Sequence, residues 1–356
     1  ILETDVLYVL FTSGSTGIPK GVVTPHKAIT SYIVALVSDY KMDDTYVLGV
    51  QVPFYYVMTA LDIYGTIAAK AHAYLIPKSK FLFPAYLVQY LYDNKINLLS
   101  WVPSALCMIA NTNAFSVADL SAIKLIVFGG EVMPIKQLKA WQQAVPDAVY
   151  INAYGSTEIT DGCTYYIVDR EFKDEDILPI GIPYSNCDVL VIDEDGNPIT
   201  EGVGELVVRG NSVGYGYYKD PEKTAEVFIQ NPLNSCYPET VYKMGDLVRF
   251  NEYGELEYYG RKDFQIKYMG RRIELGEIEA NVSSIDGVDE NCCVFDSVKK
   301  RIVLFYSGAI DDKTLLKTLR SKLPDYMQPR KINHLPEMPH NQNGKINRKF
   351  LATQIS

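Results

Sequence analysis

Short apolar runs recur through the first 150 positions, separated by stretches whose apolar residues fall every three or four places. The runs at 6–11, 46–52, 72–76, 97–101, 124–128 and 148–152 read as strands, that at 6–11 as a buried one. Between the first two, Ile29, Ile33, Leu36 and Val37 predict a helix over 27–40. Pro84 and Pro134 stand where a first helical turn should begin. Alternating strand and helix predicts an α/β layered domain: a mostly parallel sheet with helices on both faces. Beyond about 180 the pattern changes. Short strand runs are punctuated by Asp195-Gly196-Asn197-Pro198, Glu201-Gly202 and Asn251-Glu252-Tyr253-Gly254, which predicts an antiparallel, barrel-like part. The last ninety-odd positions read as a small α+β unit, with helices at 274–285 and 312–323 and strands near 291–296 and 301–307. In the second helix Leu315, Leu316, Leu319 and Leu323 share a face.

Composition narrows the class. With 356 residues, 47% hydrophobic and 22% charged, the chain has the make-up of a soluble globular protein with room for two domains. No apolar run reaches the length of a membrane span, and the first twenty residues lack the pattern of a signal peptide. A net charge of −9 argues against general nucleic-acid binding. The acidic excess belongs to residues 1–262, whereas 263–356 is net basic, which suggests two domains with different partners. Six cysteines without metal-ligand spacing point to a reducing, cytoplasmic compartment. The adjacent Cys292 and Cys293 are expected to be one buried and one exposed thiol.

The run after the first strand carries chemistry. Thr12, Ser13, Gly14, Ser15, Thr16, Gly17, Ile18, Pro19, Lys20 and Gly21 pack four hydroxyls, three glycines and a lysine into ten positions. Glycines let successive backbone N–H groups turn toward one anion, while hydroxyls and lysine add donors and charge. This is the make-up of a polyphosphate cradle, at a spacing that differs from the Walker A loop.

Six further stretches follow in order. They are Gly129-Gly130-Glu131, then Asn152-Ala153-Tyr154-Gly155-Ser156-Thr157-Glu158, then Gly204-Glu205-Leu206 through Gly214-Tyr215-Gly216-Tyr217-Tyr218. Tyr242-Lys243-Met244-Gly245-Asp246 comes next, followed by the segment from Gly260-Arg261-Lys262-Asp263 to Glu279. The last is the pair Leu323-Pro324-Asp325-Tyr326-Met327-Gln328-Pro329 and Asn343-Gly344-Lys345. Together they resemble the core motifs of the acyl-adenylate-forming (AMP-binding) superfamily, in particular nonribosomal peptide synthetase adenylation domains and D-alanine–carrier protein ligases. The resemblance covers essentially the whole chain.

The resemblance implies an ATP-dependent ligase that joins a carboxylate to the α-phosphate of ATP, releases pyrophosphate and passes the acyl group to a phosphopantetheine carrier protein. Two anions must meet in such a reaction, so charge neutralisation and alignment dominate the demands on the protein. It assigns Thr12 to Gly17 and Lys20 to the outer phosphates, and Gly129, Gly130, Glu131, Asn152 and Ala153 to the base site with Tyr154 stacked on adenine. Gly155 and Ser156 would belong to the nucleotide site, Thr157 would bind phosphate, Glu158 would hold Mg²⁺, and Asp246 would accept the ribose hydroxyls flanked by Tyr259 and Arg261. Lys345 would be catalytic, touching both the substrate carboxylate and the α-phosphate. Asp263 would be the hinge of a mobile C-terminal domain at 263–356, joined to an AMP-binding domain at 1–262. Lys267, Arg271, Arg272, Lys299, Lys300 and Arg301 either help dock an acidic carrier or form a solvated charged surface. Taken singly, Glu158 and Asp246 also read as solvated loop acids, Tyr154 as a core aromatic and Lys345 as a surface lysine.

Four departures qualify the match. Relatives carry a large portion before the phosphate loop, so the resemblance implies a domain lacking its first portion. Pro53-Phe54-Tyr55-Tyr56 leads to Val57 where amino-acid-activating relatives have the Asp that pairs with the α-ammonium. The substrate then either lacks that group or is held by another acid, for which Asp161 is the candidate, though it also reads as a loop acid. The acyl pocket would otherwise comprise Val57, Met58, Leu61, Ser100, Ile126, Phe128, Ala153 and Gly162. Ser156 replaces the usual Pro, and Met244 the usual Thr. The alternatives are an acyl- or aryl-CoA ligase using coenzyme A, and a non-catalytic scaffold that kept the fold.

Overall fold

The computed structural model describes residues 1–13, 19–174, 176–262, 265–340 and 346–355. The chain divides into two compact units: Ile1–Leu10 with Gly21–Lys262, and Phe11–Lys20 with Asp263–Ser356.

In the first unit a seven-stranded sheet runs in the order His72–Leu75, Val47–Val50, Leu98–Trp101, Leu125–Gly129, Val149–Tyr154, Thr164–Ile167, Ile182–Pro183. The first five pair in parallel and the last two antiparallel. The central strands Leu98–Trp101 and Leu125–Gly129 are buried throughout, the pattern of a parallel sheet covered on both faces. Alternation sends Ile126 and Phe128 to a core with Trp101, Leu106 and Trp141, and Leu125 and Val127 to one with Tyr32, Leu36 and Tyr184. The edge strand His72–Leu75 is exposed along its whole length. The expected helix at 27–40 forms at His26–Asp39, and Pro84 opens the helix Pro84–Asp93.

A five-stranded antiparallel sheet follows, built on the long strand Thr240–Phe250, which pairs with Gly204–Gly210, Phe228–Gln230 and Leu256–Arg261; Cys187–Ile192 adds to Gly204–Gly210. The strand at Val6–Thr12 is half-buried rather than buried, and pairs with Lys20–Pro25 in a two-stranded sheet.

In the second unit a three-stranded sheet of Val288–Asp296, Arg301–Gly308 and Lys331–His334 packs with the helices Leu275–Ser283 and Asp312–Lys322. The side chain of Asp311 caps the second helix by accepting from the backbone N–H groups of Lys313 and Thr314. The expectation for the adjacent cysteines fails. Cys292 and Cys293 do point to opposite faces of their strand, but both faces are covered. Cys293 packs with Ile278 and Leu315, and Cys292 with Met338 and Leu351.

Candidate nucleotide and acyl site

The strand Val149–Tyr154 ends in a turn that only glycine can make. A Cβ on Gly155 would lie 1.9 Å from the carbonyl oxygen of Asp161 and 2.7 Å from the Cα of Gly162. The chain then makes a short 3-10 turn, Thr157–Ile159, and reverses through Thr160 (φ +62°) and Asp161 (φ +86°). Two consecutive non-glycine residues in the left-handed region are strained, and such strain gathers at functional sites. The Asp161 N–H closes the loop on the Ser156 carbonyl at 3.0 Å.

Across this turn stands Asp246, beside a register shift in the strand Thr240–Phe250 and directly paired with Arg261. The hydroxyl of Tyr154 donates to Asp246 Oδ2, and Arg261 Nη1 donates to Asp246 Oδ1 at 2.8 Å and to the Met244 carbonyl at 3.1 Å. Asp246 is 1% exposed, so it is no solvated loop acid. Each carboxylate oxygen retains lone-pair capacity beyond these donors. Burial, reinforced by the Asp246 charge, pushes the Tyr154 hydroxyl well above the usual phenol range, so it stays a donor. The Tyr154 ring is buried in the core with Val22, Ile159 and Met244.

Glu158 is fully buried, and its Oε1 accepts from the hydroxyl of Tyr217 at 2.9 Å. Tyr217 lies inside one of the motifs, yet its sequence context signals no role for it. Thr157 is half-buried. One carboxylate next to a hydroxyl fits Mg²⁺, which takes few protein ligands and keeps waters and phosphate oxygens. Among the described residues no cluster of three or more His, Cys, Asp and Glu forms a metal cage.

The other nucleotide candidates are anchored to the sheet. Gly129 pairs in register with Ala153, and a Cβ on it would meet the Ala153 carbonyl oxygen at 2.5 Å. Gly130 has φ +81°. Glu131 accepts from the Ser104 N–H at 2.9 Å in the first turn of the helix Pro103–Ala110. Asn152 donates to the Pro179 carbonyl at 2.8 Å. Tyr259 is exposed, with the Arg249 guanidinium 5.7 Å from its ring centre. The two motif departures meet: Ser156 Oγ lies 3.8 Å from the Met244 sulfur.

The acyl-pocket candidates divide between the sheet's two faces. Leu61 and Ala153 pack with Tyr32 and Tyr184; Ile126, Phe128 and Met58 pack with the Trp101 core. Ser100 is buried, and Val57 half-buried. Gly162 lies under the aromatic rings, where a Cβ would be 2.8 Å from both the Tyr32 hydroxyl and Tyr184 Cε2. Asp161 accepts from the Tyr32 hydroxyl at 2.9 Å.

In the second unit Thr12 Oγ1 is buried without a hydrogen-bond partner, and Ser13 Oγ donates to the Arg272 carbonyl at 3.0 Å. Lys20 Nζ lies 3.5 Å from Glu274, both side chains less than a tenth exposed. Gly14, Ser15, Thr16, Gly17, Asp263 and Lys345 lie outside the described residues. No helix among the described residues is long and apolar enough to cross a membrane.

Comparison with known proteins bears on the family and the fold. The AMP-binding enzyme family matches residues 2–218, and the AMP-binding enzyme C-terminal domain residues 277–345. The chain is 34% identical to tyrocidine synthase 3 of Brevibacillus parabrevis over 98% of its own length but only 5% of that protein's. It is 32% identical to a D-alanine–D-alanyl carrier protein ligase of Bacillus cytotoxicus, covering 100% of this chain and 72% of that one. The solved structure of IdnL1 superposes with a TM-score of 0.86 at 29% identity, over 95% of this chain and 69% of that one. The fold is that of adenylation domains, and the chain belongs to the AMP-binding enzyme family.

Proposed function

We propose that the protein activates a carboxylic acid with ATP and transfers it to the thiol of a phosphopantetheine carrier protein. A carboxylate oxygen attacks the α-phosphorus, the bond to the β-phosphate bridging oxygen breaks, and pyrophosphate leaves. The carrier thiol then attacks the acyl carbon, and AMP leaves as the thioester forms. The observation that carries this reading is the buried Asp246, held between Tyr154 and Arg261 next to the Gly155 turn. A carboxylate fixed by two donors and keeping free lone pairs suits a pair of ribose hydroxyls.

In this reading residues 1–262 form the AMP-binding part and 263–356 a mobile part, with Asp263 as its hinge. Gly129, Gly130, Glu131, Asn152 and Ala153 line the base site, and Tyr259 and Arg261 flank the ribose. Thr12 to Gly17, Lys20 and Thr157 bind phosphate; the orphaned Thr12 hydroxyl supports this. Glu158 would hold Mg²⁺, which when bound neutralises phosphate charge. Lys345 contacts both reacting anions. The cytoplasm is the proposed compartment, in keeping with six free cysteines.

The test is pyrophosphate exchange into ATP with a panel of amino, hydroxy, aryl and fatty acids, followed by thioester capture on a carrier protein or on coenzyme A. Exchange with at least one acid and capture on the carrier are expected. No exchange with any acid overturns the reading, and capture on coenzyme A alone replaces the acceptor.

A further inference from the structure

The hydroxyl of Tyr217 has no task in the reaction described above, yet it is aimed at one of the site's acids. Tyr217 is 6% exposed, and its ring packs edge-on against Phe228 with ring centres 5.6 Å apart. Phenylalanine would fill that place in the core equally well, so packing accounts for the ring and not for the hydroxyl. The hydroxyl donates to Glu158 Oε1 at 2.9 Å, and Glu158 is fully buried.

This contact is one of three between the same two stretches. The Gly214 N–H donates to the Glu158 carbonyl at 2.8 Å, and Thr160 Oγ1 donates to the Ser212 carbonyl at 2.7 Å. Residues 212–214 thus hold the backbone of the turn, and Tyr217 holds the carboxylate that the turn carries. Tyr217 is itself fixed. Its N–H donates to Thr224 Oγ1 at 2.9 Å, and it forms an antiparallel bridge with Val22. On either side, the Tyr215 N–H donates to the Val23 carbonyl at 2.9 Å and the Tyr218 N–H to the Gly21 carbonyl at 2.7 Å. Residues 21–23 directly follow the segment proposed to bind phosphate. The stretch 212–218 therefore sets Glu158 in register with the strand that leaves that segment. A glutamate side chain turns about several bonds, and a charge-assisted hydrogen bond to one oxygen fixes the direction of the other. Partners of this kind orient metal-binding groups and strengthen the binding.

We propose that Tyr217 is a positioning residue, whose hydroxyl orients the Glu158 carboxylate for the Mg²⁺ that accompanies the nucleotide phosphates. This rests on the reading of Glu158 as the Mg²⁺ holder of an adenylating enzyme, and its test separates the two.

Binding of a non-hydrolysable ATP analogue to the full chain is measured by titration calorimetry, in EDTA and at rising Mg²⁺. The readout is the Mg²⁺ concentration that half-restores tight binding. Tyr217→Phe, checked by thermal unfolding, should raise that midpoint by on the order of 10–100-fold and leave the affinity in EDTA as in the wild type. Tyr150→Phe deletes a buried hydroxyl bonded to the Val145 carbonyl at 2.9 Å, and should not move the midpoint. In a Glu158→Gln background, Tyr217→Phe should add nothing. A wild-type midpoint in Tyr217→Phe, an equal shift in Tyr150→Phe, or a further shift in the Glu158→Gln background overturns the proposal. If Tyr217→Phe does not fold, Thr224→Val carries the test. It removes the acceptor of the Tyr217 N–H and keeps the hydroxyl, so it should raise the midpoint by less, and an unchanged midpoint overturns the proposal. Wild-type binding indifferent to Mg²⁺, or no binding of the analogue at all, overturns it as well. Pyrophosphate exchange is run in parallel. A midpoint shift without exchange on any acid removes the adenylation reading and keeps the role of Tyr217. Exchange with no midpoint shift removes the role of Tyr217 and keeps adenylation.

Discussion

Replacing Arg261 with methionine tests whether the Asp246 cluster is held as the geometry implies. Arg261 is 11% exposed at its side chain and Asp246 2%, and their contact is 2.8 Å. Removing one partner of a buried ion pair typically costs about 3–5 kcal/mol, because the remaining charge is left without compensation. Asp246 keeps the Tyr154 hydroxyl, so the lower end, about 3 kcal/mol, is expected. The Met244 carbonyl also loses its donor, a further reason not to go lower. Urea unfolding followed by fluorescence measures the loss. A double-mutant cycle with Asp246→Asn isolates the pair, since the neutral amide no longer needs the guanidinium. A coupling of roughly 1.5 kcal/mol or more is expected for such a contact. A single-variant loss below about 1 kcal/mol, the range of surface pairs, would refute the reasoning. So would strict additivity of the two substitutions.

Three other outcomes follow from individual groups. Burial and the Asp161 charge raise Asp62 well above its ordinary 3.8, so the folded protein keeps a proton there that the unfolded chain releases. Stability from this group is full below that value and lost as pH rises toward the folded one, at about 1.4 kcal/mol per pH unit. Asp62→Asn should flatten that slope in denaturant unfolding from pH 4 upward, and identical slopes would count against a protonated Asp62. Gly155→Ala forces a Cβ onto the Asp161 carbonyl, and since both obstructing atoms are backbone the turn must shift. A loss of about 1–3 kcal/mol is expected in thermal unfolding, and a neutral result would mean the turn is looser than described. Lys345→Ala should reduce pyrophosphate exchange roughly 10²–10³-fold, the scale for one preorganised donor, while ATP binding measured by calorimetry stays nearly intact; unchanged exchange removes Lys345 from the mechanism.

What the sequence disclosed, and what it withheld, follows from how far apart the cooperating residues lie. The central strands were legible because a parallel strand covered on both faces is a continuous apolar run, and Leu98–Trp101 and Leu125–Gly129 are that. At Gly155 the sequence showed the glycine but not the reason for it, which is that a backbone carbonyl stands where a Cβ would be. Burial state was less so. Alternation correctly sends Cys292 and Cys293 to opposite faces, but only the packing of Met338 and Leu351 covers the second. The acyl-pocket residues show the same limit. Strand parity sets Ile126 and Phe128 apart from Leu125 and Val127, yet nothing local says that Leu61 joins the Leu125 side. Asp62 was the hardest to see: in Leu61-Asp62-Ile63-Tyr64 it reads as a polar break in an apolar run, and only the packing shows that both of its carboxylate oxygens are enclosed.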